Sequence, residues 1–189
     1  MTQQDRLDKL AQRIIDEKVT PELAEAATQL VMGEGNAAAD IVFIGEAPGA
    51  TEDKLGRPFV GAAGKFLDEM LASIDLKRED VYITNIVKYR PPGNRDPLPD
   101  EIEAFKPFLM EQLDIIEPKL TIFLGRHAMN VFLPSLKISQ AHGRAFRRDG
   151  RVYMPLFHPA AALYNGGMRD TLLEDFSGIP LVVQQLTTS

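Results

Sequence analysis

The stretch DIVFIGEAPG (40–49) decides the fold. Asp40-Ile41-Val42-Phe43-Ile44 is almost wholly apolar and stops at Gly45. So short and so apolar a run predicts a strand covered on both faces, as in a parallel sheet between helix layers. Three further runs share the pattern. Val81-Tyr82-Ile83-Thr84-Asn85-Ile86-Val87 is β-branched and aromatic, Leu120-Thr121-Ile122-Phe123-Leu124 precedes Gly125, and Val152 to Phe157 precedes His158. Helical periodicity fills the gaps. Gly64 to Ile74 aligns Phe66, Leu67, Met70 and Leu71, and a run opened by Pro99 aligns Ile102, Phe105, Leu109, Leu113 and Ile116. Pro99 suits a first helical turn, with Asp100 and Glu101 favourable beside the N-terminal dipole. Pro107 inside that run predicts a kink or a split into two helices. Roughly residues 3–30 also read as helical, with Leu7, Leu10, Ile14 and Ile15 continued by Ala24, Ala27, Leu30 and Val31. The expected fold is therefore α/β, a three-layer α/β/α sandwich with a central four-stranded, mainly parallel sheet. A length of 189 residues suits one domain spanning 1–189, with 1–36 as an N-terminal helical segment packed on it.

Composition excludes several classes. Hydrophobic residues at 44% and charged residues at 25% are globular values, not those of a disordered or fibrous chain. No 18 consecutive residues are apolar, so neither a membrane helix nor a membrane partner is expected. The charged N-terminus MTQQDRLDKLAQRIIDEK lacks a signal-peptide core, which makes the cytoplasm the expected compartment. With no cysteine, disulfides, thiol catalysis, thiolate zinc sites and cysteine-held iron–sulfur clusters are all excluded. The net charge of −6 is unevenly spread. Residues 96–117 carry Lys106 against seven acids, whereas KYRPPGNR (88–95) has three positive charges and no negative one. A second basic run holds Lys137, Arg144, Arg147, Arg148 and Arg151 against Asp149. Such segments could hold a polyanion if they shared a face; otherwise they are scattered solvated charge.

In open parallel sheets, ligands bind beyond the carboxyl ends of the strands. Those ends carry Gly45-Glu46-Ala47-Pro48-Gly49, Asn85, Gly125-Arg126-His127 and His158, so Glu46, Asn85 and His158 should converge on one rim. No dinucleotide fingerprint appears, and GAAGKF (61–66) lacks both the spacing and the hydroxyl residue of a Walker A loop. There is no nucleophile elbow. No histidine pair or His/carboxylate group has metal-ligand spacing, so no metal is expected. Phe59, in GRPFVG (56–61), reads either as core or as a rigid platform for a planar ligand. Asn85 reads as a loop tie or as a match to a pyrimidine edge, since its amide offers one acceptor and two donors. His158 is a structural histidine or a ligand-facing one, while His127 and His142 read as structural.

Taken together, GEAPGATEDKLGRPFVGAAGKFL (45–67), NIVKYRPPGNRDPLPDEIEA (85–104), EPKLTIFLG (117–125) and HPAAAL (158–163) resemble family 4 of the uracil-DNA glycosylase superfamily in order and spacing. The resemblance implies a monomeric base-excision repair enzyme that hydrolyses the N-glycosidic bond of uracil in DNA and leaves an abasic site. It implies that Glu46 orients the attacking water and stabilises positive charge on the deoxyribose. Phe59 would stack on the extruded uracil, Asn85 would bond its Watson–Crick edge, and His158 would bind O2, with Gly45 and Ala47 beside the base. Leu163 or Tyr164 would enter the duplex as a wedge, and Arg90, Arg95, Arg144, Arg147 and Arg148 are candidate phosphate contacts.

Two departures stand out. Members of family 4 hold an iron–sulfur cluster through four cysteines, and the matching positions here fall near Lys18 to Pro21 and at Tyr89 and Phe105. The cluster is expected to be absent, no other cofactor is implied, and Tyr89 and Phe105 should fill its place as packed core. The Lys-Arg-Arg-Ile-His insertion of relatives trapped covalently on DNA is also missing, and Glu46 stands where those relatives have Gln, so turnover is expected. No lysine nucleophile stands in the matched motifs, so a lyase step is not expected. The alternatives are excision of hypoxanthine or hydroxymethyluracil, or a module that binds uracil or abasic sites without cleavage.

Overall fold

The computed structural model describes residues 1–189. Six strands form one sheet: β1 (Glu34–Gly35), β2 (Ile41–Gly45), β3 (Tyr82–Asn85), β4 (Leu120–Leu124), β5 (Phe146–Arg148) and β6 (Arg151–Leu156). Their order is β1-β3-β2-β4-β6-β5. The inner four, β3, β2, β4 and β6, are parallel and correspond to the four apolar runs. The antiparallel edges β1 and β5 were not anticipated. Glu34-Gly35 and Phe146-Arg147-Arg148 are too short and too polar to form an apolar run, as suits edge strands.

The helices are α1 (Gln3–Asp16), α2 (Pro21–Ala26), α3 (Ala50–Leu55), α4 (Ala62–Ser73), α5 (Pro99–Ile116), α6 (Arg126–Phe132), α7 (Ile138–Ala141), α8 (Gly166–Ser177) and α9 (Ile179–Thr188). Strand alternation divides the core between two helix layers. Val42 and Ile44 join Leu7, Leu10 and Ile14 of α1, Leu109 and Leu113 of α5 and Met129 of α6. Ile41 and Phe43 point the other way, to Leu67 and Met70 of α4 and to Leu172 and Phe176 of α8. The three-layer arrangement follows from this two-sided burial.

Two helix expectations are corrected. The stretch 3–30 is not one helix, because Lys18 and Thr20 take left-handed φ values of 52° and 47° between α1 and α2, and residues 27–30 are not helical. The run from Pro99 is not split, since α5 continues through Pro107. Pro107 lies on the exposed side, where water can serve the Glu103 carbonyl that the proline cannot.

β2 is flanked by β3 on one side and β4 on the other, so the chain leaves the sheet in opposite directions at their carboxyl ends. That switch point opens a crevice beside Gly45-Glu46 and Gly125-Arg126-His127.

Candidate active site

Gly45 ends β2 in register with Asn85, the last residue of β3. A Cβ at Gly45 would lie 2.5 Å from both Asn85 Oδ1 and Phe59 Cζ. Only glycine lets these two side chains meet over the strand end. Gly45→Ala is therefore expected to drive Phe59 and Asn85 apart and to cut any chemistry done at this strand end at least tenfold. Steady-state activity measured beside thermal unfolding checks this, and wild-type activity in the variant would contradict it.

Asn85 is 2% exposed and Phe59 7%. The Phe59 ring stacks against His158, with centroids 5.6 Å apart and planes inclined by 29°. His158 follows β6, and its Nδ1 accepts a hydrogen bond from the Ala160 amide at 3.0 Å. With Nδ1 an acceptor, the proton of the neutral ring sits on Nε2. Burial, then the neighbouring His127, pushes His158 down to about 4, so it is a neutral Nε2–H donor near pH 7.

Phe59, Asn85 and His158 line one cavity of about 410 Å³, together with Ala47, Gly49 and Asn94. An adjoining cavity of about 390 Å³ shares Ala47 and His158 and is lined by Glu46, Arg126 and His127. The rim thus places a planar slot with hydrogen-bonding groups beside a carboxylate. Glu46 Oε2 lies 3.2 Å from His127 Nε2, which is 3.7 Å from Asp96 Oδ2. Burial first, then hydrogen bonding and charge from Asp96, raises the Glu46 carboxyl to about 7, against the opposing pull of Arg126.

The family model described as "Uracil DNA glycosylase superfamily" matches residues 32–177. The chain belongs to the uracil-DNA glycosylase superfamily. A "Type-4 uracil-DNA glycosylase" of Sulfurisphaera tokodaii is 45% identical over 185 residues, covering 93% of this chain and 84% of that one. One from Archaeoglobus fulgidus is 48% identical over 167 residues, covering 84% of each. A "Type-5 uracil-DNA glycosylase" of Thermus thermophilus is more distant, 30% identical over 75% of this chain and 70% of its own.

Within this superfamily member, His127 and Asp96 are the residues that motif reading missed. His127 sat at a named strand end, which was the available signal, whereas Asp96 lies in an acidic stretch with no local mark. Their donor atoms and that of Glu46 lie within 4.8 Å of one another, a set that could hold a metal ion. Spacing along the chain could not reveal this His/carboxylate cluster, because three separate segments build it.

Not every charge of the basic runs lies on the surface. Lys88 is fully buried, its Nζ donating to Thr84 Oγ1, the Asn85 carbonyl and Gln112 Oε1. Arg90 stands on the rim, bonded to Asn94 Oδ1, while Arg95 is held in a two-toothed pair with Glu101. Arg144 lies over the Phe146 ring, on the side of β5 nearer the site. Arg147 is exposed. Arg148 pairs in register with Arg151, at the end of β6 remote from His158, and its Nη1 donates to the Phe132 carbonyl. Leu163 and Tyr164, in the turn after His158, are 44% and 90% exposed.

At the positions matching the cluster cysteines, Tyr89 meets Phe105 edge-on with centroids 6.0 Å apart. Val19 and Leu23 are buried in the same core.

Proposed function

We propose that this chain is a monofunctional uracil-DNA glycosylase of base-excision repair, working as a cluster-free monomer in the cytoplasm. The observation that carries the reading is the pair of adjoining cavities, with Phe59 and Asn85 in one, Glu46 in the other and His158 lining both. Breaking the bond from C1′ to N1 sends its electrons into the base and leaves positive charge on the sugar. His158 donates to O2, where negative charge gathers, and Glu46 faces the sugar cation, as differential transition-state stabilisation requires. Water then adds its hydroxide to C1′ and gives up a proton, which the departing base finally holds. Nothing else is consumed.

A base in a duplex must be extruded before this pocket can reach it, at a cost of a few kcal/mol. Stacking on Phe59, worth about 1–3 kcal/mol, offsets much of that cost. Leu163 and Tyr164 stand ready to occupy the vacated stack, and Arg90 and Arg144 to meet phosphates. Asn85 reads the edge of the base, and a cytosine there would leave buried groups unpaired.

The carboxylate must be ionised to do this work. Excision should therefore fall tenfold per unit as pH drops below about 7, where Glu46 takes up its proton. Asp96→Asn removes a group that raises that value, so its acid limb should lie at lower pH than that of the wild type. Single-turnover rates across pH check both, and an unmoved limb in Asp96→Asn would contradict the assignment.

The function itself is tested with oligonucleotides bearing uracil, thymine, hypoxanthine or hydroxymethyluracil, followed by alkaline cleavage of abasic sites. Strand breaks and free base with uracil alone support the reading. Breaks with another base in preference would reassign the substrate, and binding without breaks would make the chain a recognition module.

A further inference from the structure

Phe59 is the flat surface of the site, yet its backbone adopts φ 49°, a left-handed conformation costly for a residue with a Cβ. The surroundings hold it there from both sides. Upstream, Arg78 Nη1 donates to the Phe59 carbonyl at 2.9 Å and Nη2 to the Pro58 carbonyl at 2.6 Å. Downstream, Glu52 Oε2 accepts the amides of Val60 and Gly61, each at 2.9 Å. Two side chains from different elements, α3 and the turn before β3, thus grip four consecutive residues centred on the platform. Each grip is itself anchored. Glu34 Oε1 and Asp68 Oδ1 accept from Arg78 at 2.8 and 3.0 Å, and Glu52 Oε1 accepts the Gly49 amide at 3.1 Å. Through Glu52 the loop that carries Glu46 and the loop that carries Phe59 become one rigid unit. Gly64 completes the fit, since a Cβ there would lie 1.8 Å from the Phe59 carbonyl oxygen.

We propose that Arg78, with Glu52 as the second grip, is a positioning residue that sets the Phe59 ring for stacking on the extruded base. Arg78 acts only through Phe59 and lines neither cavity. The proposal rests on the uracil reading above for its substrate, but the clamp can be measured without it.

The test is a double-mutant cycle of Arg78→Met and Phe59→Ala, read by single-turnover uracil excision and by inhibition with free uracil, beside thermal unfolding. Arg78→Met should slow excision about tenfold and weaken uracil inhibition, whereas Phe59→Ala should lose about 10–100-fold. The double variant should be no slower than Phe59→Ala alone. Independent, multiplying losses would mean that Arg78 only supports the fold, and wild-type excision and inhibition in Arg78→Met would overturn the proposal outright. If Arg78→Met does not fold, Glu52→Gln serves in the same cycle, since its single amide oxygen can accept from the Val60 and Gly61 amides or from the Gly49 amide but not from both. An amide NMR spectrum separates the two readings. Shifts at residues 59–61, beyond those around the substituted residue and its other partners, support the clamp even if wild-type protein releases no uracil, and unchanged resonances there count against it.

Discussion

Glu46→Gln should slow uracil release by about 10²–10³-fold, the size of losing one preorganised electrostatic group aimed at developing charge. The substitution preserves shape and removes only the negative charge that we propose faces the sugar cation. Affinity for uracil-containing DNA should hold, so the loss belongs to the chemical step and not to binding. Stability should move the opposite way. The carboxyl sits at about 7 in the folded protein against an ordinary 4.5, so the native state loses stability as pH rises through that window. At about pH 8 the wild type bears the full cost of an ionised, poorly hydrated carboxylate, and Glu46→Gln should melt at a higher temperature. Below pH 4.5 the difference should vanish, because the group is neutral in both states. A slower but more stable variant is the signature expected of a group kept for chemistry. Unaltered excision by Glu46→Gln would remove the carboxylate from the mechanism.

His158→Ala should cost about 10²-fold or more in single-turnover excision. The Ala160 amide holds the ring with Nε2–H free, and burial keeps it neutral down to about 4. The donor is therefore correctly protonated through the working range, and on the proposed mechanism its removal would leave the anionic oxygen of the departing uracil without a partner. Because the ring is already neutral, the fold-loss should be the same at about pH 6 and about pH 8, whereas Asp96→Asn should move the acid limb itself. A loss confined to one side of neutrality would mean that a charged imidazolium does the work instead.

The inner sheet was legible because its strands are buried on both faces and so advertise themselves as apolar runs. Edge strands carry no such obligation, which is why Glu34-Gly35 and Phe146-Arg147-Arg148 were silent. Glu46, Asn85 and His158 could be placed on one rim because the carboxyl ends of parallel strands must lie together. His127 and Asp96 could not, since their meeting with Glu46 depends on how α6 and the loop before α5 pack. Lys88 shows the opposite failure. Counted as surface charge in a basic run, it is fully buried beneath the Asn85 carbonyl, supplied with three acceptors. Counts of charge along a chain say nothing about which way a side chain points. Arg78 was equally invisible, because its role lies in two carbonyls far away in sequence.

The account stands on one pocket acting across the bond between sugar and base. A crystal structure of Glu46→Gln bound to uracil-containing DNA tests it most directly. The extruded base should lie on Phe59, with the Asn85 amide at its edge, His158 Nε2 at O2 and residue 46 beside C1′. A base seated elsewhere, or residue 46 turned away from the sugar, would contradict the account.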